Sequence, residues 1–122
     1  MVEVHPADKA KTEEIVKRAG VTAPVRAMTM SRDGEELGYV LYTVERDTME
    51  LVSLFSEEEP LEELLVRAAL NDAVNALAIT AVCRNKAHFE LLQRLGFEQE
   101  NGVYTIFIPN FFMRPCSGCG GA

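Results

Sequence analysis

Two dipeptides that favour tight turns, Asp33-Gly34 and Asn101-Gly102, each stand between two strand-like stretches of the sequence. Both residues of such a pair tolerate the positive φ angles of a two-residue hairpin. PVRAMTMS before the first turn and LGYVLYTVE after it are rich in strand formers, and the second is nearly continuous in apolar and aromatic residues. We therefore predict a hairpin whose second strand, 37–45, lies in the centre of a sheet.

The other segments alternate between strand and helix patterns. Pro60 is expected to begin a helix to about Ala76, whose apolar residues from Leu61 to Leu77 cover more than one stripe and predict substantial burial. The expected order, β-α-β-β-β-α-β-α-β-β, predicts an α+β fold with a mixed sheet and three helices. The remaining expected elements are strands at 2–4, 49–55 and 79–83, a helix from His5-Pro6 to Gly20, a helix at 85–95 and the Asn101-Gly102 hairpin. The pattern ends after Pro109, so we predict one domain over 1–109 and a tail over 110–122.

Composition narrows the classes of partner. The 122 residues carry a net charge of −7, and hydrophobic residues make up 48%, so a packed core is expected and a nucleic-acid partner is not, because nucleic-acid binding requires a basic face. We find no signal-peptide pattern and no apolar run long enough to span a membrane, and three cysteines fit a reducing compartment. A cytoplasmic protein is therefore expected. One local group of basic residues is present, but on a helix it is more typical of a solvated face than of a binding patch. It consists of Lys9, Lys11, Lys17 and Arg18.

The stretch NKAHFELLQRLGFEQENGVYTIFI (85–108) contains an Asn after the expected fifth strand, a helix that ends in Leu-Gly-Phe, and a hairpin. With the element order, it resembles the GNAT superfamily of acyl-CoA-dependent N-acetyltransferases over residues 2 to 108. The resemblance implies a central, splayed sheet, acetyl-CoA as cofactor and an amine acceptor. The family's usual second helix is missing before the second strand. The residues that carry the likeness are Asn85, Leu91, Leu95, Gly96 and Phe97.

The same resemblance assigns cofactor-binding positions. It implies that acyl-CoA would contact the backbone of Leu54 and Phe55, the following residue Ser56, and Asn85, while no catalytic residue is assigned. In the family, the turn before the main crossover helix contains glycines, which let the backbone approach the CoA pyrophosphate at the helix N-terminus.

The sequence SLFSEEEPLEELL (53–65) departs from that pattern. When Leu64-Leu65 are set on the family's paired leucines, Ser56 takes the Arg or Gln position, while Glu59 and Leu61 take the two small positions. Pro60 has no N–H to donate, and the three glutamates 57–59 would repel a pyrophosphate. Carboxylates in the first turn of a helix also stabilise its dipole, so the presence of these glutamates is explained without a ligand. We expect the turn to exclude acyl-CoA, so no cofactor is expected, although acetyl-CoA stays an alternative.

Two positions on the next helix also differ from the family. His88 stands where a small Ala is common, and Leu92 stands where many members carry a Tyr that protonates the leaving thiolate. Leu92 cannot transfer a proton, and His88 is most simply a histidine on a helix surface. Three tyrosines are candidates for the missing donor, although packing in the sheet explains each more simply: Tyr39, Tyr42 and Tyr104.

The tail contains CSGC, in which Cys116 and Cys119 have the spacing of half a zinc site. A second copy of the chain in a homodimer, or Cys83 with His88, could supply the other ligands. A lone CxxC is a weak signal, so zinc binding and a redox role stay alternatives to a simple tail.

Three hypotheses follow from the sequence. The first is a GNAT-like binding or regulatory module, possibly dimeric, with a degenerate pyrophosphate turn. The second is an atypical acetyltransferase in which the acidic turn holds a cationic amine or peptide. The third is a metal- or redox-linked protein that acts through its CxxC. Fold alone does not decide between them.

Overall fold

The computed structural model describes residues 1–21 and 25–113, in which one seven-stranded sheet carries four α-helices. Short 3-10 turns, Glu59–Leu61 and Lys86–His88, lead directly into the second and third helices. The strands are β1 (Val2–Pro6), β2 (Arg26–Arg32), β3 (Glu35–Glu45), β4 (Thr48–Ser56), β5 (Thr80–Cys83), β6 (Glu98–Glu100) and β7 (Val103–Phe107). The helices are α1 (Lys9–Ala19), α2 (Glu62–Asn75), α3 (Phe89–Arg94) and α4 (Ile108–Met113).

The strands lie in the order β1-β2-β3-β4-β5-β7-β6. Every neighbouring pair is antiparallel except β4 and β5, which are parallel. Helix α2 makes the crossover between these two strands, as a parallel pair requires. The prediction of an α+β fold with a mixed sheet is therefore confirmed, and so is the order of its elements up to β7; the prediction of three helices lacked α4.

Both predicted hairpin turns are present. Asp33 and Gly34 have φ angles of 52° and 84°, and Asn101 and Gly102 have φ angles of 52° and 83°. A two-residue turn with two positive φ angles has a backbone twist that matches the right-handed twist of the flanking strands. The predicted central strand is also confirmed, because every residue from Leu37 to Tyr42 is buried.

The two faces of the sheet bury separate groups of side chains. Val40 and Tyr42 of β3 point into the larger core with α2 and α3, while Tyr39 and Leu41 pack with Ile15 of α1 on the other face. This alternation follows from the two-residue period of a strand. Helix α1 is also tied to β3 by ion pairs from Lys11 and Arg18 to Glu36.

The first helix begins later than predicted. His5 and Pro6 pair with Thr29 and Met28 of β2, so they end β1 and do not begin a helix. Asp8 is the N-cap of α1, and its side chain accepts a hydrogen bond from the N–H of Lys11 at 2.8 Å. Because Pro6 lies on an edge strand, its missing N–H leaves no neighbouring strand without a partner.

The sequence pattern did not predict the fourth helix. Residues 108–113 form α4, a fourth helix, and Ile108 and Phe111 are buried in the larger core. Pro109 therefore stands in the first turn of a helix, where proline is well tolerated, and does not mark the end of the fold. Residues 114–122, which include Cys116 and Cys119, lie outside the described residues, and the proposed division at 109/110 stays a prediction.

The expected burial of the apolar residues near α2 is wrong at two positions, Leu64 and Leu77, which are exposed. Leu77 follows the helix with a φ angle of 72° and is 81% exposed. The N–H groups of Leu77 and Ala78 donate to the carbonyls of Val74 and Ala73, which is the hydrogen-bond pattern of a helix end that usually carries glycine. Leu77 therefore lies outside the helical stripe.

Gly38 allows β3 to approach β4 closely. A Cβ built on Gly38 would lie 2.3 Å from the backbone oxygen of Phe55 and 3.0 Å from the Cα of Ser56. We expect Gly38→Ala to lower the free energy of unfolding by about 1–3 kcal/mol, because the added methyl group must push β4 away. Urea unfolding measures the loss.

Gly20→Ala is the matched control. Gly20 has a φ angle of 73° and open space around its Cβ position, so its loss of about 1 kcal/mol should come from backbone conformation alone. Only Gly38→Ala should also shift the amide resonances of residues 55–57. Unchanged stability and unchanged resonances in Gly38→Ala would contradict the proposed close contact.

Candidate functional site

Strands β4 and β5 part halfway along β4. They pair only from Thr48 with Thr80 to Leu51 with Cys83, whereas β4 continues to Ser56. The pairing of β3 with β4 also shifts by one residue between Leu41 and Tyr42, which leaves Val52 as the extra residue of a β-bulge. A bulge bends its strand and increases its twist. We call the opening between residues 52–56 and residues 84–88 the wedge.

Asn85 lies in the wedge. Its side-chain Nδ2 donates to the carbonyl oxygen of Val52 at 3.3 Å, and its Oδ1 accepts from the N–H of Ala87 at 3.0 Å. One amide therefore bridges the separated strands and caps the 3-10 turn before α3. The structure thus places this predicted cofactor-binding residue beside β4.

The backbone of β4 presents alternate residues to the wedge. The N–H of Glu57 donates to the carbonyl of Leu37, so the alternation of an antiparallel ladder turns Phe55 toward β3 and Leu54 toward the wedge. The side chain of Leu54 is buried in the larger core, whereas Phe55 is 46% exposed, with its ring centroid 5.8 Å from that of Tyr39. Of the two predicted backbone contacts, only Leu54 faces the wedge.

The segment from Ser56 to Glu62, which we call the crossover turn, uses its N–H groups internally. Ser56 Oγ donates to the carbonyl of Glu58 at 2.7 Å and accepts from the N–H of the same residue at 3.1 Å. The N–H of Leu61 donates to that carbonyl at 2.9 Å, and the N–H of Glu62 donates to the carbonyl of Glu59. Because Pro60 has no N–H, few donors of this turn are free for an anion.

The crossover turn is also negatively charged. Arg32 holds Glu58 through two bonds, 2.7 and 3.3 Å long. Burial raises the pKa of Glu62, and the neighbouring carboxylate of Glu59 raises it further against the opposing influence of Arg94. Glu59 and Glu62 therefore bring two carboxyl groups close together at the start of α2.

Three side chains in and near α3 bear on proton transfer, and burial affects each of them. Leu92, at the position that the resemblance assigns to a proton donor, is fully buried in the core. His88 is half-buried rather than on the surface, and its Nε2 has no hydrogen-bond partner among the described residues. Burial lowers the pKa of the ring, which favours its neutral form at pH 7. Burial raises the pKa of the Cys83 thiol, which therefore stays protonated at neutral pH.

The tyrosines considered as donors are buried as well. Tyr42 donates to Asp72 at 2.7 Å, and both burial and that carboxylate raise its pKa, while Tyr104 packs against Phe89 at a ring-centroid distance of 4.4 Å. Within residues 1–21 and 25–113, no group of histidine, cysteine and acidic side chains could hold a metal ion. None of the helices in the same ranges is long and apolar enough to cross a membrane.

Solved structures share this architecture. A GNAT-family acetyltransferase from Desulfovibrio desulfuricans superimposes with a TM-score of 0.71 at 13% identity, over 88% of this chain and 99% of the other. A GNAT-family acetyltransferase from Brucella melitensis in complex with acetyl-CoA has a TM-score of 0.67 at 16% identity, with 88% of each chain covered. The AtaT Y144F toxin bound to the C-terminus of the antitoxin AtaR has a TM-score of 0.68 at 17% identity, over 95% of this chain and 99% of the toxin.

Sequence comparison adds no closer relation, since no protein-family model and no curated protein matches the chain. The structural likeness nevertheless extends over most of both chains in each pair. The chain therefore has the fold of the GNAT acetyltransferase superfamily, at low sequence identity.

Some features of the site were not predicted from the sequence. The bulge at Val52 could not be predicted from the sequence, because neither Val52 nor Ser53 is unusual in a regular strand. The pair formed by Arg32 and Glu58 joins residues 26 positions apart, and only the predicted β2–β3–β4 pairing could have suggested it.

Asn85→Ala should open the wedge. Loss of the cap should lower the free energy of unfolding by about 1 kcal/mol, and the amide of Ala87 should exchange faster with solvent. Asn85→Asp is the matched control, because a carboxylate still caps Ala87 but cannot donate to Val52. Both variants should shift the amide resonance of Ser53, whereas only Asn85→Ala should speed exchange at Ala87. Unchanged exchange at Ala87 in Asn85→Ala would contradict the capping role.

Proposed function

We propose that this protein is a GNAT-fold binding or regulatory module that does not take up acyl-CoA in the superfamily's usual way. The observation that carries the proposal is the crossover turn, in which the N–H groups of Glu57, Glu58, Leu61 and Glu62 already donate within the chain. A pyrophosphate binds a helix N-terminus through free N–H groups. Here it would have to break existing hydrogen bonds to obtain them.

Charge supports the same conclusion. Two like unit charges about 4 Å apart repel by roughly 4 kcal/mol at an effective dielectric constant near 20. Exposed carboxylates usually avoid such repulsion by turning away, but the two bonds from Arg32 hold Glu58 in place. Arg32 neutralises part of that charge, whereas Glu57 and Glu59 form no ion pair with any described residue. Net repulsion of a diphosphate therefore remains.

A second candidate function is an atypical acetyl-CoA-dependent N-acetyltransferase for a small amine or a peptide. The wedge favours it, since the backbone of Leu54 faces the opening and Asn85 lies across from it. Neighbours of the same fold have been solved with acetyl-CoA or CoA bound. In this function the glutamates 57–59 would attract a cationic acceptor.

A protein partner suits the first function. The AtaT toxin, which has the same fold, was solved with the C-terminus of its antitoxin bound, so a scaffold of this shape can hold a peptide. The homodimer, the cytoplasmic location and the zinc or redox role of Cys116 and Cys119 stay predictions from the sequence.

Acetyl-CoA should not bind to the unmodified chain. At about 150 mM salt, we expect calorimetry to detect no saturable binding up to roughly 1 mM, because the crossover turn offers charge of the wrong sign and few free donors. A variant that restores the family's spacing, Ser56→Arg with Glu59→Gly, Pro60→Val and Leu61→Gly, should gain binding. Micromolar binding by the unmodified chain, with shifted amide resonances at residues 54–59, 61 and 62, would end the proposal.

The control for this experiment removes similar charge elsewhere. Glu98→Gln with Glu100→Gln raises the net charge by two, as the turn variant does, but on the exposed strand β6. It should not gain acetyl-CoA binding. If it gains as much as the turn variant, overall charge decides binding and the crossover turn does not. Circular dichroism and urea unfolding must first show that each variant is folded.

Thiol release from acetyl-CoA decides between the two functions. We expect no release above the enzyme-free rate with a panel of amines and lysine-containing peptides, because Leu92 leaves the expected donor position without a proton. Release that saturates with one acceptor and falls in Asn85→Ala would favour the acetyltransferase function instead.

A further inference from the structure

A groove of about 790 Å³ lies on the opposite side of β3 from the wedge, between α1 and the beginning of β2. Its volume is within the range of small-molecule sites, which are mostly apolar with a few polar groups. Its apolar walls come from the end of β1 and the residue after it, from one side of α1, and from the chain around the start of β2. The apolar residues are Pro6, Ala7, Val16, Val25, Ala27 and Met28.

The floor of the groove contains one carboxylate whose charge is already compensated. Asp72 accepts from the hydroxyl of the buried Tyr42 at 2.7 Å and from Arg26 at 3.1 Å, both at Oδ2. The ion pair with Arg26 removes most of the attraction that Asp72 would exert on a cation. A cationic ligand would therefore find no uncompensated partner at the floor.

The rim of the groove is formed by one side of α1, which carries Lys9, Glu13 and Lys17 at four-residue intervals. None of these three side chains forms an ion pair with another described residue. By contrast, Lys11 and Arg18 on the neighbouring side of α1 are bound to Glu14 and Glu36. Two ammonium groups are therefore available at the rim, with one carboxylate between them.

The charge of this lining is opposite to that of the chain. Three cationic residues (Lys9, Lys17 and Arg26) and two acidic residues (Glu13 and Asp72) give the groove +1, whereas the chain carries −7. Because the chain carries a large negative charge, its surface attracts a cation at many places but attracts an anion at few. The carboxylate of Glu13 between the two lysines favours a group with one negative charge over a phosphate with two.

We propose that this groove binds an amphipathic monoanion, a carboxylate with an unbranched apolar chain, which lies along α1 with its charged end at Lys9 or Lys17. The apolar chain would cover Ala7, Val16 and Ala27 and exclude water from them. The inference does not depend on the crossover turn, because the two sites share no residue. Failure of one proposal therefore leaves the other standing.

Amide resonances of the full chain, titrated with three eight-carbon probes, test the proposal. Octanoate, 1-octanol and octylammonium share an apolar chain and differ in charge. We expect octanoate to bind most tightly, with a dissociation constant on the order of 0.1–1 mM, followed by octanol and then octylammonium. The resonances that move should be those of residues 7–17 and 25–28.

Two double variants separate the rim from general charge effects. Lys9→Gln with Lys17→Gln should weaken octanoate binding by about three- to tenfold and leave octanol binding unchanged. Arg46→Gln with Lys86→Gln removes the same charge at exposed positions away from the groove and should change octanoate binding by less than about twofold.

Three outcomes would overturn the proposal. The first is octylammonium binding as tightly as octanoate. The second is equal weakening in the two double variants. The third is a set of moving resonances that centres on other exposed apolar residues, such as Leu77 and Phe107, which would indicate nonspecific adsorption of the chain.

Discussion

The ladder between β3 and β4 is longer than the ladder between β4 and β5, and this difference shapes the region where the superfamily binds its cofactor. The first ladder continues to the bond from Glu57 to Leu37, whereas the second ends at Leu51 and Cys83. The second half of β4, residues 52–56, therefore has one bonded edge and one open edge. Gly38 makes this possible, because a larger residue would meet the backbone of Phe55.

The same ladder determines which donors are left at the crossover turn. Since pairing with β3 takes the N–H of Glu57, the chain enters α2 with one fewer free donor. The hydroxyl of Ser56 accepts the N–H of Glu58, and carbonyls of the 3-10 turn and its N-cap accept those of Leu61 and Glu62. Chain geometry, and not only the glutamate side chains, therefore makes this helix start a poor anion site.

Local signals predicted the fold well where one or two residues decide the conformation. Asp33-Gly34 and Asn101-Gly102 specify their turns through backbone preference alone, and the apolar run of β3 could only be satisfied in the middle of a sheet. Asn85 was singled out through the likeness of its surroundings to a known pattern, and its role in binding a cofactor stays a prediction. These predictions needed no knowledge of distant contacts.

The errors in the predicted boundaries arose where the same residue type is compatible with two different structural positions. Proline is tolerated in the first turn of a helix and also at the edge of a sheet, so Pro6 was assigned to a helix when it ends β1. Pro109 was read as the end of the fold when it stands in the first turn of α4, because its role depends on the burial of Ile108 and Phe111. Contacts between residues far apart in sequence, such as Arg32 with Glu58, decide features that no local pattern contains.

A helix start that satisfies its own donors gains stability without a ligand but gives up affinity for one. Glycines in the superfamily's turn leave N–H groups that only water or a phosphate can reach, so the free protein there keeps an unfilled site. In this chain the serine hydroxyl, the 3-10 turn and the ladder with β3 fill the same positions. Such a turn satisfies most of its N–H groups without a pyrophosphate. The wedge survives regardless, because it results from unequal ladder lengths and a bulge, which the crossover turn does not control.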